Sequence, residues 1–187
     1  MGKKKIINNQ QGFSLMELLV ATSIFVIIAL ASLSIYVATL RASQKSLALT
    51  RVQQEAQLIM QVLAKKIRTS HVNYDYSGYV KPIINPEDEL ALTDLAGDTY
   101  VFKKTGASAA VSVNGAADKN ISADNVNVTD LKFFINPTAN PFITLDEPPN
   151  STPYVTVILT LSSIKASQSA TLTIQQTVPQ RSGVEAE

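Results

Sequence analysis

Residues 12–40 read GFSLMELLVATSIFVIIALASLSIYVATL. No charged residue occurs from residue 18 to residue 40. Because a membrane-spanning helix needs about 20 predominantly apolar residues, the stretch is long enough to cross a bilayer. Lys3, Lys4 and Lys5 precede it, and basic residues beside a span favour the cytoplasmic side. The sequence therefore predicts a single-pass membrane protein with its N-terminus inside and its C-terminal part outside.

Glu17 lies at the head of this apolar stretch, where a simple anchor needs no acid. At the centre of a bilayer a charged side chain costs roughly 2.5–3.5 kcal/mol on insertion scales, and less near the interface. One interpretation places Glu17 at the level of the lipid headgroups. The other gives it a cationic partner. Cleavage between Gly12 and Phe13 would create an α-amine about one helical turn away, and the amine of a neighbouring subunit could neutralise the carboxylate.

The segment GFSLMELL follows a short leader with lysines and precedes an unbroken apolar helix. In this it resembles the processing signature of prepilins, the precursors of type IV pilin-like proteins. Gly12, Phe13 and Glu17 match the motif directly. The resemblance implies that a prepilin peptidase cuts after Gly12, removes residues 1–12 as a leader, and leaves an amine on Phe13 that is then methylated. It also implies an assembly salt bridge between Glu17 and that amine on an adjacent subunit.

The same resemblance implies a location and a set of partners. The protein would reside in the cytoplasmic (inner) membrane and then enter an extracytoplasmic filament. The implied partners are the prepilin peptidase, other pilin or pseudopilin subunits, the inner-membrane assembly platform and membrane lipid.

A signal-peptidase site offers a different interpretation of the same region. Ala29, Leu30 and Ala31 before Ser32 have the A-x-A form of such a site, and cleavage there would release a soluble protein. The apolar run continues beyond this point to Leu40, and an acid opens it. Both features favour the prepilin interpretation.

Helical character continues beyond the apolar stretch. Neither Gly nor Pro occurs between Phe13 and Gly78, so one helix is predicted from residue 13 to about residue 69. Its membrane and assembly half covers residues 13–40, and residues 41–70 form an amphipathic half. A coiled coil is the alternative for this second half. The predicted apolar stripe consists of Leu49, Val52, Ala56, Ile59, Leu63 and Ile67.

Residues 71–187 have the sequence pattern of a β-rich domain. Alternating apolar residues between turn signals predict strands at residues 99–104, 110–113, 126–135, 154–162 and 170–177. Asn114-Gly115 predicts a turn, and the proline-rich residues 137–153 predict an extended loop. An antiparallel sheet packed on the helix stripe gives a pilin-like α+β fold.

Several features resemble minor pilins and minor pseudopilins more than major pilins. These are IMQVLAKKIRTS at the helix exit, NVNVTDLKFFI followed by PYVTVILTLSS, and TLTIQQTVPQR as a closing strand ending in Arg181. Ser34 also stands where many major pilins carry a proline. The resemblance favours a minor subunit of a type IV pilus or a type II secretion-like filament. A single-pass anchor with a β-rich ligand-binding domain outside the membrane is the alternative function.

The remaining residues give little basis for catalysis or ligand binding. The net charge is +1, there is no Cys, and His71 is the single His, so we expect no catalytic residue, no metal site, no cofactor and no established nucleic-acid partner. His71 is expected at a surface or an interface. Asp146 and Glu147 fall short of a calcium ligand set and are expected to be solvated. Tyr74, Tyr76 and Tyr79 are expected to pack or to line a subunit contact.

Overall fold

The computed structural model describes Gly12 and residues 14–141, 152–164 and 169–180. The chain divides into two compact units, Met1–Ser43 and Gln44–Glu187. Lys3, Lys4, Lys5, Phe13, Asp146, Glu147 and Arg181, all named above, lie outside the described residues.

Helix α1 spans Leu15–Thr69 and confirms the predicted long N-terminal helix. The side chains of its described apolar residues up to Leu40 are exposed, as Phe25 at 72% illustrates. In the second unit the helix buries one face, made of Ala48, Val52, Ala56, Ile59, Met60, Leu63, Ala64 and Ile67. The apolar stripe therefore serves as core of the β-rich unit, as the sequence predicts.

The predicted burial is wrong for one residue of the apolar stripe. Leu49 is 39% exposed, whereas Ala48 beside it is buried. Burial follows the row of residues four apart through Ala48, Val52 and Ala56. Side chains four residues apart lie above one another on a helix, so this row forms the beginning of the buried face of α1. Leu49 lies beside the row and is therefore partly exposed.

In the part of the chain that the structure describes, eight antiparallel strands form two sheets, whereas the sequence predicts one sheet. The five-stranded sheet consists of β1 (Ser70–Val72), β2 (Glu89–Asp94), β3 (Thr99–Thr105), β4 (Ser108–Val113) and β5 (Lys119–Asn120) in that order. The three-stranded sheet consists of β6 (Val126–Asn136), β7 (Tyr154–Ser163) and β8 (Thr171–Pro179). The first sheet ends at β5, which has two residues, and the second sheet begins with β6.

Five of these strands match the predicted ones to within two residues, while β1, β2 and β5 were not predicted. The predicted turn is also confirmed: Asn114 and Gly115 have φ values of 51° and 73°, and the amide of Ala116 donates to the carbonyl of Val113. Positive φ at both central residues is the conformation that Asn-Gly accepts most readily.

The core lies between the helix face and the sheets. Its largest fully buried side chains include Ile59 and Leu63 from α1, Leu92 from β2, Phe133 from β6 and Leu159 from β7. All belong to one hydrophobic cluster. A long N-terminal helix that contacts antiparallel sheets is the pilin-like α+β fold that the sequence predicts.

Candidate functional site

The candidate site is the segment from Gly12 to Glu17. Gly12 lies before the helix, and a Cβ built on it would meet no heavy atom within 4 Å. Glu17 is the acid in the first turn of α1. Phe13, the residue that would carry the methylated amine, is outside the described residues.

Ser14 caps the helix immediately after these residues. Its carbonyl accepts the amides of Glu17 at 3.0 Å and Leu18 at 3.1 Å, and its Oγ accepts the amide of Met16 at 3.3 Å. A serine that accepts the second helical amide is an N-cap, which satisfies one of the donors left free at a helix start. The helix therefore begins directly after the Gly12-Phe13 junction in the sequence.

Glu17 occupies the third helical position after this cap. Ser14 and Glu17 together have the Ser-x-x-Glu spacing of a capping box. This helix start was not predicted, although its pattern is present in the sequence. An acid at this position also complements the partial positive charge of the helix N-terminus. At this position an acid can stabilise the start of its own helix, which adds a third hypothesis to the two interpretations given from the sequence.

The serine and threonine hydroxyl groups that follow Glu17 up to Leu40 are satisfied within the helix. Thr22, Ser23, Ser32, Ser34 and Thr39 each donate to a helix carbonyl three or four residues earlier, at distances from 2.7 to 3.0 Å. A polar group without a partner is costly in hydrocarbon, so this pattern makes the segment compatible with lipid. By length and composition the helix is long and apolar enough to cross a membrane.

The tyrosine cluster packs, as predicted. Tyr74 and Tyr79 are buried, and the rings of Tyr76 and Tyr79 meet edge to face at 5.2 Å. The Tyr76 hydroxyl donates to Glu89 Oε2 at 2.6 Å, and this bond together with burial raises the pKa of Tyr76 to about 12. The cluster therefore stabilises the fold around β2.

Of the other candidate residues, the structure describes His71 but not Asp146 or Glu147. His71 lies in β1 and is partly buried. Within the described part of the chain, no three His, Cys, Asp or Glu residues lie close enough together to hold a metal ion.

The comparison with protein families gives one match. Residues 7–33 match the family described as the prokaryotic N-terminal methylation motif. The matched range contains Gly12, Phe13, Ser14 and Glu17 together with much of the apolar stretch. No curated protein and no solved structure matches the chain. The motif is therefore shown for the N-terminal segment, and it implies processing by a prepilin peptidase.

Proposed function

We propose that this chain is a structural subunit, a minor pilin or minor pseudopilin, of a type IV pilus or a type II secretion-like filament. One observation carries the proposal: the methylation motif at residues 7–33 introduces an exposed apolar helix that continues into a pilin-like fold. In this account prepilin peptidase cuts after Gly12. The role is structural, and no reaction is assigned to the β-rich unit.

The apolar surface of α1 supports assembly through helix contacts. Leu15, Phe25 and Ile35 are each more than 65% exposed within the chain, at 83%, 72% and 68%. Such a surface has to be covered by lipid before assembly and by neighbouring helices afterwards. Serine and threonine at helix interfaces allow backbones to approach closely, and the segment carries five of them with satisfied hydroxyls.

Glu17 would then define how neighbouring helices align. Packing alone distinguishes poorly between axial positions of two sliding apolar helices. A carboxylate that pairs with the Phe13 amine of an adjacent subunit favours one of these positions, even where desolvation leaves little net stabilisation. This pairing between chains and the capping position within the chain use the same carboxylate.

The experiment that tests the proposal follows the protein from membrane to filament. Cells that express the chain with its own filament system are sheared, and the protein is quantified in sheared filaments and in membranes. We expect it in both fractions, together with other subunits. A chain that remains entirely in the membrane would instead favour an anchored ligand-binding domain.

A further inference from the structure

The edges of the two sheets differ in how they are protected. An unprotected edge strand presents unpaired amides and carbonyls and readily adds another strand, so proteins usually blunt edges with charges, bulges, short strands or covering segments. The outer strands of the five-stranded sheet, β1 and β5, have only three and two residues. Both are too short to offer a long template.

The β6 edge of the three-stranded sheet is covered. Glu87 and Phe133 exchange backbone hydrogen bonds of 2.8 and 2.9 Å. The Asn85 side chain donates to the carbonyl and accepts from the amide of Ile135, both at 2.8 Å, as a paired strand would. The pairing is also irregular between Val128 and Asp130.

The described residues give the β8 edge none of these protections. Among the described residues β8 pairs with β7 alone, and its sequence TLTIQQTVP contains no charge and no glycine, with proline only at its end. Its register with β7 shows no irregularity over nine residues. It is therefore a long, regular and uncharged edge.

The direction of the free amides on β8 follows from the register. Gln180 donates its amide to the Pro153 carbonyl at 2.8 Å, next to the Tyr154–Pro179 pair. Because bonded and non-bonded pairs alternate in an antiparallel ladder, the amides of every second residue before Gln180 point toward β7. The amides of Thr173, Gln175 and Thr177 consequently point away from it.

A groove of about 440 Å³ runs between this edge and helix α1. Met60, Ala64 and Ile174 supply apolar surface, and Gln176 is among the polar residues of the lining. Lys65 and Arg68 also line it, both are exposed, and neither has an ion-pair partner within the described ranges. None of the described residues that line the groove is acidic.

We propose that β8 and this groove bind an extended acidic segment of a partner protein by strand addition. Backbone hydrogen bonds to the free edge would supply affinity, and alternate side chains would enter the groove. On that face the partner would place apolar residues against Met60 and Ile174 and carboxylates against Lys65 and Arg68. The inference rests on the unit Gln44–Glu187 and does not depend on the proposed function.

The test uses the full chain in neutral detergent micelles and a synthetic fluorescein-labelled peptide. The peptide reads TVTETVTET, so that valine and glutamate share one face of a strand, and a second peptide carries lysine in place of glutamate. Fluorescence anisotropy is expected to show saturable binding of the glutamate peptide and at least about tenfold weaker binding of the lysine peptide. Amides of Thr173, Gln175 and Thr177 are expected to exchange more slowly in the complex.

Two pairs of variants separate the edge from the charges. Gln175→Pro removes an amide that points away from β7 and makes no hydrogen bond to that strand, so the variant should bind the peptide about tenfold more weakly. Gln175→Thr keeps this amide and should bind the peptide as the parent chain does. Lys65→Glu combined with Arg68→Glu should reverse the preference to the lysine peptide. The matched control is Lys104→Glu with Lys119→Glu on the other sheet, which changes the net charge equally.

Three results would overturn the inference. The first is no saturable binding of the glutamate peptide together with unchanged amide exchange. The second is equal binding of both peptides by the parent chain. The third is binding that Gln175→Pro leaves unchanged but laurate displaces, which would make the groove a site for an amphipathic carboxylate. The exchange measurement on the parent chain needs no variant, so it decides the question even if Gln175→Pro does not fold.

Discussion

The Lys66 ammonium of α1 lies 3.1 Å from Asp94 Oδ2 of β2. Lys66 Nζ also lies 3.3 Å from the centroid of the Tyr100 ring, so one cation joins the end of the helix to two neighbouring strands. The Asp94 side chain further accepts the amides of Ala96 and Asp98. Polar contacts thus fix the helix end on the five-stranded sheet beside the buried stripe.

The Asp94 contact predicts a stability difference that depends on pH. Desolvation acts to raise the pKa of Asp94, but hydrogen bonds from Lys66, Asp98 and Ala96 outweigh it and lower the pKa below 3.8. A carboxyl group with a lowered folded-state pKa contributes stability above its unfolded pKa, and this contribution is lost as the pH falls through the folded value. Thermal unfolding should therefore show Asp94→Asn less stable than the parent at pH 6, with the difference shrinking below pH about 3.8.

The control for this titration is Asp124→Asn, because Asp124 is exposed and makes no ion pair within the described residues. Its melting curve should follow the parent at every pH. If Asp94→Asn also follows the parent at pH 6, the contact with Lys66 contributes nothing measurable.

The buried stripe predicts a sharp contrast between adjacent helix positions. Leu63 is fully buried, whereas Val62 is 39% exposed. Because an unpaired carboxylate in the core is strongly unfavourable, Leu63→Asp should cost about 3–5 kcal/mol of unfolding free energy, and Val62→Asp less than about 1 kcal/mol. Chemical denaturation of a fragment beginning at Arg41 measures both, and we expect that fragment to be soluble, monomeric and folded.

Equal stability of the two variants would contradict the role of the stripe as core. The second half of α1 would then serve association with another helix, as in a coiled coil.

The two roles of Glu17 predict different effects of two substitutions. Glu17→Gln keeps the shape of the side chain and makes the span more apolar, so membrane insertion and cleavage should be normal. Incorporation into filaments should fail, because the partner of the Phe13 amine is lost. Ser14→Ala removes the helix cap at a cost of about 1 kcal/mol and should leave incorporation intact.

The measurement is the ratio of processed protein in sheared filaments to processed protein in membranes. If Glu17→Gln enters filaments normally, the pairing between subunits is wrong. If Ser14→Ala fails to the same degree as Glu17→Gln, the acid acts through the helix start within its own chain.

Gly12 predicts a third contrast, between two substitutions at one position. The surroundings of Gly12 leave room for a side chain, so Gly12→Leu should not disturb the fold. The peptidase has to approach this residue closely, and a bulky side chain should leave the full-length precursor in the membrane. Gly12→Ala adds only one carbon and should be cleaved to a greater extent, as immunoblots of membrane fractions would show. Equal cleavage of the two variants would remove the size requirement.

The helix and the long strands could be predicted because their patterns are long. Residues 13–69 contain neither Gly nor Pro, and β6 and β7 alternate buried and partly exposed residues over most of their length. The N-terminal methylation motif could be predicted because it is local in sequence. Gly12 and Glu17 need no tertiary contact in order to be recognised.

The strands that were not predicted lack such patterns. In β2, three consecutive residues, Leu90, Ala91 and Leu92, are buried, so the alternation of a half-exposed strand is missing. The Ala91 amide donates to the Tyr79 hydroxyl, so the tyrosine cluster packs beside β2. The strands β1 and β5 are too short to show a period.

Contacts between residues far apart in the chain could not be predicted from the sequence either. By helical period Glu55 belongs to the polar face of α1, yet its carboxylate accepts the amide of Ala123, 68 residues later in the chain, at 2.6 Å. Lys66 likewise belongs to the polar face of α1 by its position in the helical period, but it is partly buried against β2. Such pairs depend on how the sheets are placed, which no local pattern specifies.

The N-terminus of the protein extracted from membranes decides whether this chain is processed as a prepilin. Intact mass and N-terminal peptide mapping by mass spectrometry define both the first residue and its modification. We predict a mature chain that begins at Phe13 with a methylated amine. A chain that begins at Met1, as for an uncleaved anchor, or at Ser32, as after signal-peptidase cleavage, would contradict it.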